Sequence, residues 1–459
     1  MKMGKSAISL HPANPRYFMF RGKPKVLITS GEHYGSVLNL DFNYQKYLDT
    51  LHSENLNHTR LFVGVYRERP DEWWPKNSLG PDHDRFVCPF GRSHIIGSRD
   101  GGNKFDLNKW DEGFFNRLRD FCQLAEERGI VIEIALFSNY YMGDDDKDLA
   151  HWNLSPFHPD NNVNDLGEFS PSELFTLKHT EPLKYQDAMV KKIVQEVNRN
   201  DNVYYEICNE PYHFDGASIE WQHHIAELIL REEAELPLQH LVSRNVANGW
   251  AKVTDPHPAI SILNFHYPDP KCVTVNYHLD RLIGCNETGF AGSSEEPYRI
   301  QAWQFMMAGG GLFNHLDVSF CAGDEGGIRH LGNIDFNGGA EIRKQLRILK
   351  EFMESFDLIR MTPDNDAVAD RGGASAVYVL AEQGKQYAVH IRCENSEQCG
   401  SVVLNVPDGQ YTVEWCDTRE GFTGSSESVA SVEGKLALQP RKFQSDIGAR
   451  ILNVTCNKV

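Results

Sequence analysis

The sequence of 459 residues has no long apolar run. No stretch approaches the roughly 20 consecutive apolar residues of a membrane-spanning helix, and residues 1–10 lack the apolar segment of a signal peptide. We therefore predict no membrane partner and, for the sequence as it stands, a cytoplasmic protein. A chain whose signal peptide had been removed would look the same, so a secreted or periplasmic protein is the alternative.

Positive charge is also scarce. Lys and Arg total 46 against 64 for Asp and Glu, which gives a formal net charge of -18. Such a surface repels nucleic acid, so we predict no nucleic-acid partner and a neutral or basic ligand instead. Acidity that only maintains solubility would explain the same charge balance equally well.

Metal-binding motifs are missing as well. The ten cysteines include no Cys-x-x-Cys pair and no zinc spacing, and no His-x-His follows the first predicted strand. We therefore predict neither a metal nor another cofactor. The cysteines are expected to be mostly reduced core residues; Cys393 and Cys399 would be able to pair in a secreted protein, but we expect both to be free.

What the sequence does contain is a repeated alternation of short apolar runs with amphipathic segments. The runs predict eight strands at residues 25–30, 58–63, 131–137, 203–208, 240–244, 260–266, 282–286 and 311–315. The segments between them predict helices at residues 44–55, 107–128, 181–198, 218–235, 298–308 and 340–356. This order indicates a (β/α)8 barrel, because an open doubly wound sheet would carry a Gly-rich turn after its first strand and residues 30–34 are not one.

The pattern changes near residue 362. Short segments with period-two alternation and close turn signals follow, which predict an antiparallel β-sandwich. We therefore divide the chain into a catalytic barrel with an N-terminal hairpin, residues 1–362, and a sandwich, residues 363–459. Two long loops, residues 64–103 and 138–180, would rise beside the carboxyl end of the barrel and wall off part of it.

Two glutamates follow predicted barrel strands. Glu210 lies after the fourth strand in Asn209-Glu210-Pro211, and Glu287 ends the seventh strand in Asn286-Glu287-Thr288-Gly289. Barrel enzymes keep their chemistry at the carboxyl ends of the strands, and strands four and seven lie nearly opposite each other. The two carboxyl groups should therefore converge on one substrate. Two carboxyl groups that face the same bond are the least that cleavage of a glycosidic bond requires.

These motifs resemble the clan A glycoside hydrolases, which are retaining enzymes with an Asn-Glu-Pro acid/base after strand four and a nucleophilic Glu after strand seven. The resemblance extends over residues 5–362 and includes Arg60 in the segment 57–62, the opening hairpin at 17–24 and the segment 105–110. It does not assign a numbered family. It implies that Glu210 is the acid/base and Glu287 the covalent nucleophile, so that the pKa of Glu210 must be raised while Glu287 stays ionised.

The resemblance also implies partners for the two carboxyl groups. Arg60 would supply a fixed charge beneath Glu287, and His266 or Tyr267, after strand six, would supply a hydrogen bond. Asn209 would hold the 2-hydroxyl of the sugar. For Arg60 the alternative is an ion pair with an acidic neighbour in the barrel, and one of His266 and Tyr267 is expected to be structural.

Other strand-end residues are candidates for the sugar-binding subsite. Many clan members place a Trp after strand eight as a floor for the sugar ring, and this chain has none there. The candidates are Glu32, His33, Asn139, Trp250, Asn314, His315 and Asp317, with packing as the alternative for each. The aromatic residues of the long loops, Tyr66, Trp73, Trp74, Tyr140, Tyr141 and Trp152, are candidate subsite walls or loop cores.

We predict a retaining β-glycoside hydrolase that acts on a β-linked glycoside or oligosaccharide, and the two long loops favour exo action. A transglycosylase would use the same residues, and a catalytically silent carbohydrate-binding barrel is the alternative from a different class. The sequence specifies neither the sugar nor the oligomeric state, because the discrimination of sugar configurations depends on one or two hydroxyl contacts.

Overall fold

The computed structural model describes residues 6–33, 35–64, 66–67, 81–139, 149–212, 216–328, 337–394 and 399–454. Eight parallel strand positions form a barrel in chain order, as predicted. They are Leu27–Thr29 continued by Glu32–His33, then His58–Phe62, Val131–Ala135, Val203–Glu206, Val242–Asn248, Ile262–His266, Leu282–Glu287 and Leu312–Asn314. We number them barrel strands one to eight.

Barrel strand one is interrupted at its middle, and its two parts together connect strand eight to strand two. Its first part pairs with strand eight and its second part with strand two. The side chain of Asn57, just before strand two, binds the first part by accepting from the backbone N–H of Ile28 (3.0 Å) and donating to the carbonyl of Val26 (2.8 Å). Gly31 lies at the break, where a Cβ atom would be 2.8 Å from Thr29 Oγ1 and 3.0 Å from a backbone oxygen. A residue with a side chain would therefore force the two strands apart.

Helices cover the outside of the barrel at the six predicted places. Their bounds are Tyr44–Ser53, Glu112–Glu127, Thr180–Val197, Ile219–Glu233, Glu296–Met307 and Ala340–Glu354, and the short helix Lys271–Asn276 follows strand six. The prediction that the second helix begins at residue 107 was wrong. Residues Asn103–Trp110 form a strand that pairs with Phe90–Ile96, and Asp111 caps the helix by accepting from the N–H of Phe114.

The two long loops contact each other beside the barrel. The hairpin of Phe90–Ile96 and Asn103–Trp110 extends the first loop to residue 110, and the second loop meets it where Val163 donates to the carbonyl of Phe105 (2.9 Å). Of the loop aromatics, Tyr66 and Trp152 are buried. The others, Trp73, Trp74, Tyr140 and Tyr141, lie outside the described residues.

The C-terminal part contains two antiparallel sheets with a core of their own, which confirms the predicted sandwich. The larger sheet consists of Thr362–Pro363, Ala376–Glu382, Gln386–Arg392, Asp446–Asn453, Gly409–Asp417 and Gly421–Ser431, and the smaller one of Val368–Asp370, Val402–Asn405 and Lys435–Leu438. Gly421–Ser431 was not predicted, because most of its residues are exposed and few are apolar. The exact boundary at residue 362 stays a prediction.

The barrel and the sandwich share a buried contact. Arg299, on the helix Glu296–Met307, pairs with Asp446 of the sandwich (2.7 Å), and the Trp303 ring stacks on His390. A Cβ atom on Gly448 would lie 2.7 Å from the Trp303 ring, so the indole packs directly on the sheet backbone. The sandwich therefore packs directly against the helix Glu296–Met307. None of the helices in the described ranges has the length and apolar character needed to cross a membrane.

Candidate active site

Glu287 is the last residue of barrel strand seven and is buried. Its two carboxylate oxygens have different donors. Arg60 Nη1 donates to Oε2 at 2.9 Å, and the Tyr267 hydroxyl donates to Oε1 at 2.5 Å. Donors on both oxygens favour the charged form of a carboxyl group. The predicted contact between Arg60 and Glu287 is therefore present.

Arg60 is itself fully buried and is shared among three side chains. Its Nε and Nη2 form a two-pronged ion pair with Glu206, at 3.1 and 2.6 Å, and Nη2 also donates to Asn209 Oδ1 at 2.7 Å. Arg60 thus forms both contacts that the sequence suggested, the one with Glu287 and an ion pair with an acidic neighbour, Glu206. Because guanidinium is planar, the fork on Glu206 also fixes the direction in which Nη1 points.

Glu210 lies after strand four, buried and in a strained backbone conformation. Its φ is 46°, in the left-handed region that costs residues other than glycine roughly 1–2 kcal/mol. Tyr267 has the same feature with a φ of 47°. Strained residues of this kind cluster at functional sites, where the surrounding structure holds them in place. Here the strain occurs at the two turns that direct side chains toward the carboxyl pair.

His266 connects the two glutamates. Its Nδ1 lies 3.2 Å from Glu210 Oε1 and 3.6 Å from Glu287 Oε1. One ligand atom each of Glu210, His266 and Glu287 lies within 4.8 Å of the others. His266 and Tyr267 therefore have separate contacts, because the tyrosine hydroxyl binds Glu287 and the imidazole lies between the carboxyl groups.

The same three side chains are a donor set that a divalent cation would accept. Arg60 already places a positive charge 2.9 Å from Glu287, and this charge opposes a second cation at the same carboxylate. The chemistry that the arrangement supports directly is proton transfer by one carboxyl group and nucleophilic attack by the other.

Asn209 and Asn139 join strand four to the chain after strand three. Asn209 accepts from Arg60 through Oδ1 and donates to Ser138 Oγ at 3.2 Å. The N–H of Asn139 donates to the carbonyl of Asn209 at 3.0 Å, and both residues are buried. The contact of either side chain with a sugar stays a prediction.

The strand-eight candidates are in contact with the barrel itself. The Asn314 amide accepts from the N–H of Gly31 at 3.2 Å and donates to the carbonyl of Asn286 at 3.0 Å. His315 packs on the Tyr298 ring, and burial lowers its pKa. Asp317 pairs with Arg343. These contacts favour the packing alternative for this segment.

The remaining candidates lie at the rim or in strand one. Trp250 is 45% exposed after strand five, with the Lys271 ammonium 3.4 Å from its ring centre. Glu32 and His33 form the second part of strand one and pair with Arg60 and Leu61; their side chains lie outside the described residues.

Two aromatic residues near the carboxyl pair were missed. The Tyr212 hydroxyl donates to Asn248 Oδ1 at 2.5 Å, and its pKa is raised by burial and then by Glu210 and Glu287. Phe290 is half exposed, and its ring lies 5.5 Å from that of Tyr267. Each follows one of the glutamates by two or three residues, a position that a search of the strand ends alone did not cover.

Two buried carboxyl groups were also missed. Glu133 in strand three and Glu206 in strand four have no exposed surface and lie within apolar runs. Burial and the neighbouring Glu206 raise the pKa of Glu133 well above its ordinary value. A charged residue in the middle of a buried barrel strand was the signal available for both.

Together these elements define a (β/α)8 barrel with a carboxyl pair at the ends of strands four and seven. A solved structure described as a putative glycoside hydrolase from Bacteroides vulgatus ATCC 8482 is similar, with a TM-score of 0.70, 13% identity, and coverage of 99% of this chain and 83% of that chain. A glycoside hydrolase family 5 protein from the same organism has a TM-score of 0.65 and 13% identity, and the match covers 99% of this chain and 95% of that chain. An endo-1,4-beta-mannanase from Rhizomucor miehei has a TM-score of 0.50 and 13% identity, and the match covers 76% of this chain and 100% of that chain. At this identity the likeness shows a shared fold.

Sequence comparison adds one match. Residues 67–211, less than half of the chain, match a family described as a domain of unknown function (DUF6298), and the matched segment ends with Asn209-Glu210-Pro211. No curated protein sequence matches the chain.

Proposed function

We propose that the protein is a retaining β-glycoside hydrolase in which Glu210 is the acid/base and Glu287 the nucleophile. The observation that carries this proposal is the approach of the two carboxyl groups, whose nearest oxygens are within 4.8 Å. Retaining enzymes have their carboxyl groups about 5–5.5 Å apart, whereas inverting enzymes leave about 6.5–9.5 Å for a water molecule. The short separation supports direct attack by a carboxylate.

The different surroundings of the glutamates support the division of roles. Arg60 and Tyr267 both donate to Glu287, which suits an ionised nucleophile. Glu210 has His266 beside it, 3.2 Å away. Glu287 attacks the anomeric carbon while Glu210 donates its proton to the leaving oxygen, so the glycosidic bond breaks as the glycosyl–enzyme bond forms.

The second half of the reaction reverses these roles. Glu210, now a carboxylate, takes a proton from water, whose oxygen attacks the anomeric carbon and releases Glu287. During this exchange the charge on Glu287 disappears and returns, while Arg60 stays held by Glu206. A fixed guanidinium stabilises the departing carboxylate without reorganisation, which favours the second step.

Carbohydrate as the substrate class is supported by the names of the structurally similar proteins, which are glycoside hydrolases. Exo action is supported by the two loops that contact each other beside the barrel. The half-exposed Trp250 and Phe290 offer aromatic faces at the rim on which a sugar ring can stack.

The decisive experiment is incubation with a panel of 2-fluoro glycosides followed by peptide mass mapping. We expect one sugar to label Glu287, and Glu287→Gln to abolish both labelling and turnover. Analysis of the first-formed anomer is the second measurement, and an inverted product would refute the proposal. Sugar binding by the wild type without labelling or turnover would support the silent carbohydrate-binding barrel, and products extended by an added sugar acceptor would support a transglycosylase.

A further inference from the structure

A layer of buried polar side chains lies beneath the two catalytic candidates. Glu133, Glu206 and Arg60 are fully buried on adjacent strands, and Arg60 stands in register with Glu133. With Glu287 included, three carboxyl groups surround a single guanidinium. Three buried carboxylates around one cation would leave two negative charges without compensation, and a proton on one carboxyl group lowers the cost of burying the cluster.

The hydrogen bonds identify which carboxyl group this is. Glu133 Oε1 accepts from Asn264 Nδ2 at 2.6 Å and from Ser243 Oγ at 2.8 Å, as a carbonyl oxygen would. Asn286 Nδ2 lies 3.3 Å from Glu133 Oε2 and also donates to Glu206 Oε2, so the two carboxyl groups are neighbours. Two buried carboxyl groups that are this close are not both ionised, because like charges repel.

Glu206 has the complementary set of contacts. Arg60 donates to both of its oxygens, and Asn286 donates to Oε2. The guanidinium forms its two-pronged ion pair with Glu206, and such a pair favours the charged form of a carboxyl group. The geometry therefore places the negative charge on Glu206 and the proton on Glu133.

We propose that Glu133 and Glu206 share one proton beneath the active site and act as positioning residues, because the singly charged pair fixes Arg60 on one side and leaves its Nη1 for Glu287. The inference rests on the proposed function for its catalytic consequence. The shared proton itself does not depend on catalysis.

The other titratable groups around the pair do not supply a compensating charge. Tyr204 faces Glu133 from strand four, and burial and then Glu133 raise its pKa, so the phenol stays neutral. Burial lowers the pKa of His58, whose Nε2 lies 3.0 Å from the Tyr204 hydroxyl, to about 3. Burial and Glu206 raise the pKa of the Cys208 thiol. Arg60 is thus the one charged donor to the pair among the described residues.

Two isosteric variants test the proposal. In Glu133→Gln the amide oxygen can accept from Ser243 and Asn264 while the amide N–H donates to Glu206, so the pattern of a protonated Glu133 is preserved. We expect the acidic limb of the pH profile of kcat/KM in this variant to coincide with that of the wild type, because a protonated Glu133 has no charge to lose there. Glu206→Gln removes the anion that orients Arg60, so we expect kcat to fall at least about tenfold with little change in KM.

Infrared spectroscopy tests the proton without any substrate. At neutral pH the difference spectrum between the wild type and Glu133→Gln should contain the carbonyl band of one protonated carboxyl group. Absence of this band, or an acidic limb that moves in Glu133→Gln, would overturn the proposal. If the band is present but neither the wild type nor any variant shows turnover, the shared proton stands and the proposed function fails. Failure of the shared proton and failure of the proposed function are therefore distinguishable.

Discussion

Arg60 and Glu206 form a two-pronged ion pair inside the barrel although 146 positions separate them in the sequence. Both side chains are fully buried. Taking two charges out of water is costly, so such a pair is a poor source of stability, but removal of one partner leaves the other charge buried without compensation. This asymmetry gives the first prediction.

Arg60→Met should lower the free energy of unfolding by about 3–5 kcal/mol, because Glu206 and Glu287 both lose their cation. Urea unfolding followed by circular dichroism measures the change. The matched control is Lys385→Met, which breaks the solvent-exposed pair with Glu382 and should cost less than about 1 kcal/mol. Equal losses in the two variants would contradict the buried role of Arg60.

Tyr267→Phe should slow the reaction without unfolding the protein. The variant loses the hydrogen bond to Glu287 Oε1, and a hydrogen bond to a charged group contributes about 1.5–3 kcal/mol. We expect kcat to fall by roughly ten- to a hundredfold at constant KM. Tyr44→Phe removes a comparable hydroxyl contact, with Asp120, on the outside of the barrel. A kcat that falls equally in both variants would argue against a role of Tyr267 at Glu287.

The prediction of the fold succeeded where the sequence signal is local. Buried parallel strands are continuous apolar runs, and eight of them were found, with ends that differ by a few residues. The error at residues 107–110 came from counting helical spacing through a strand. Phe105 and Leu107 are buried and alternate with polar residues, which is the period of a strand.

The site was predictable only in its outer part. Glu210 and Glu287 converge because each lies at the carboxyl end of a strand, and strand order alone brings them together. The inner partners depend on register and on which side chains enter the barrel. Nothing near Glu133 in the sequence indicates that it lies beside Glu206 and Arg60, since the three residues come from three strands.

Activity should not depend on a metal ion. Both oxygens of Glu287 already accept from Arg60 and Tyr267, and the guanidinium supplies the positive charge that a cation would otherwise provide. We expect the same kcat/KM before and after dialysis against EDTA. An activity that disappears in EDTA and returns with a divalent cation would show that Glu210, His266 and Glu287 bind a metal instead.

The raised pKa of Glu133 predicts how stability changes with pH. Below the ordinary pKa of a glutamate both the folded and the unfolded chain hold this proton, so the free energy of unfolding does not depend on pH through Glu133. Above it, only the folded chain holds the proton, because burial and Glu206 raise the folded pKa. The free energy of unfolding should therefore fall with rising pH by up to about 1.4 kcal/mol per pH unit until the folded pKa is reached.

The glutamine in Glu133→Gln does not titrate, so this variant lacks the loss of stability described above. It should become progressively more stable than the wild type as the pH rises from about 5 toward 8. Urea unfolding at several pH values measures the difference between the two curves, which cancels the contributions of all other titrating groups. Curves that run parallel would mean that Glu133 has the same protonation in the folded and unfolded chains. A difference that shrinks with rising pH would mean that the folded barrel holds Glu133 as a carboxylate, stabilised by Arg60.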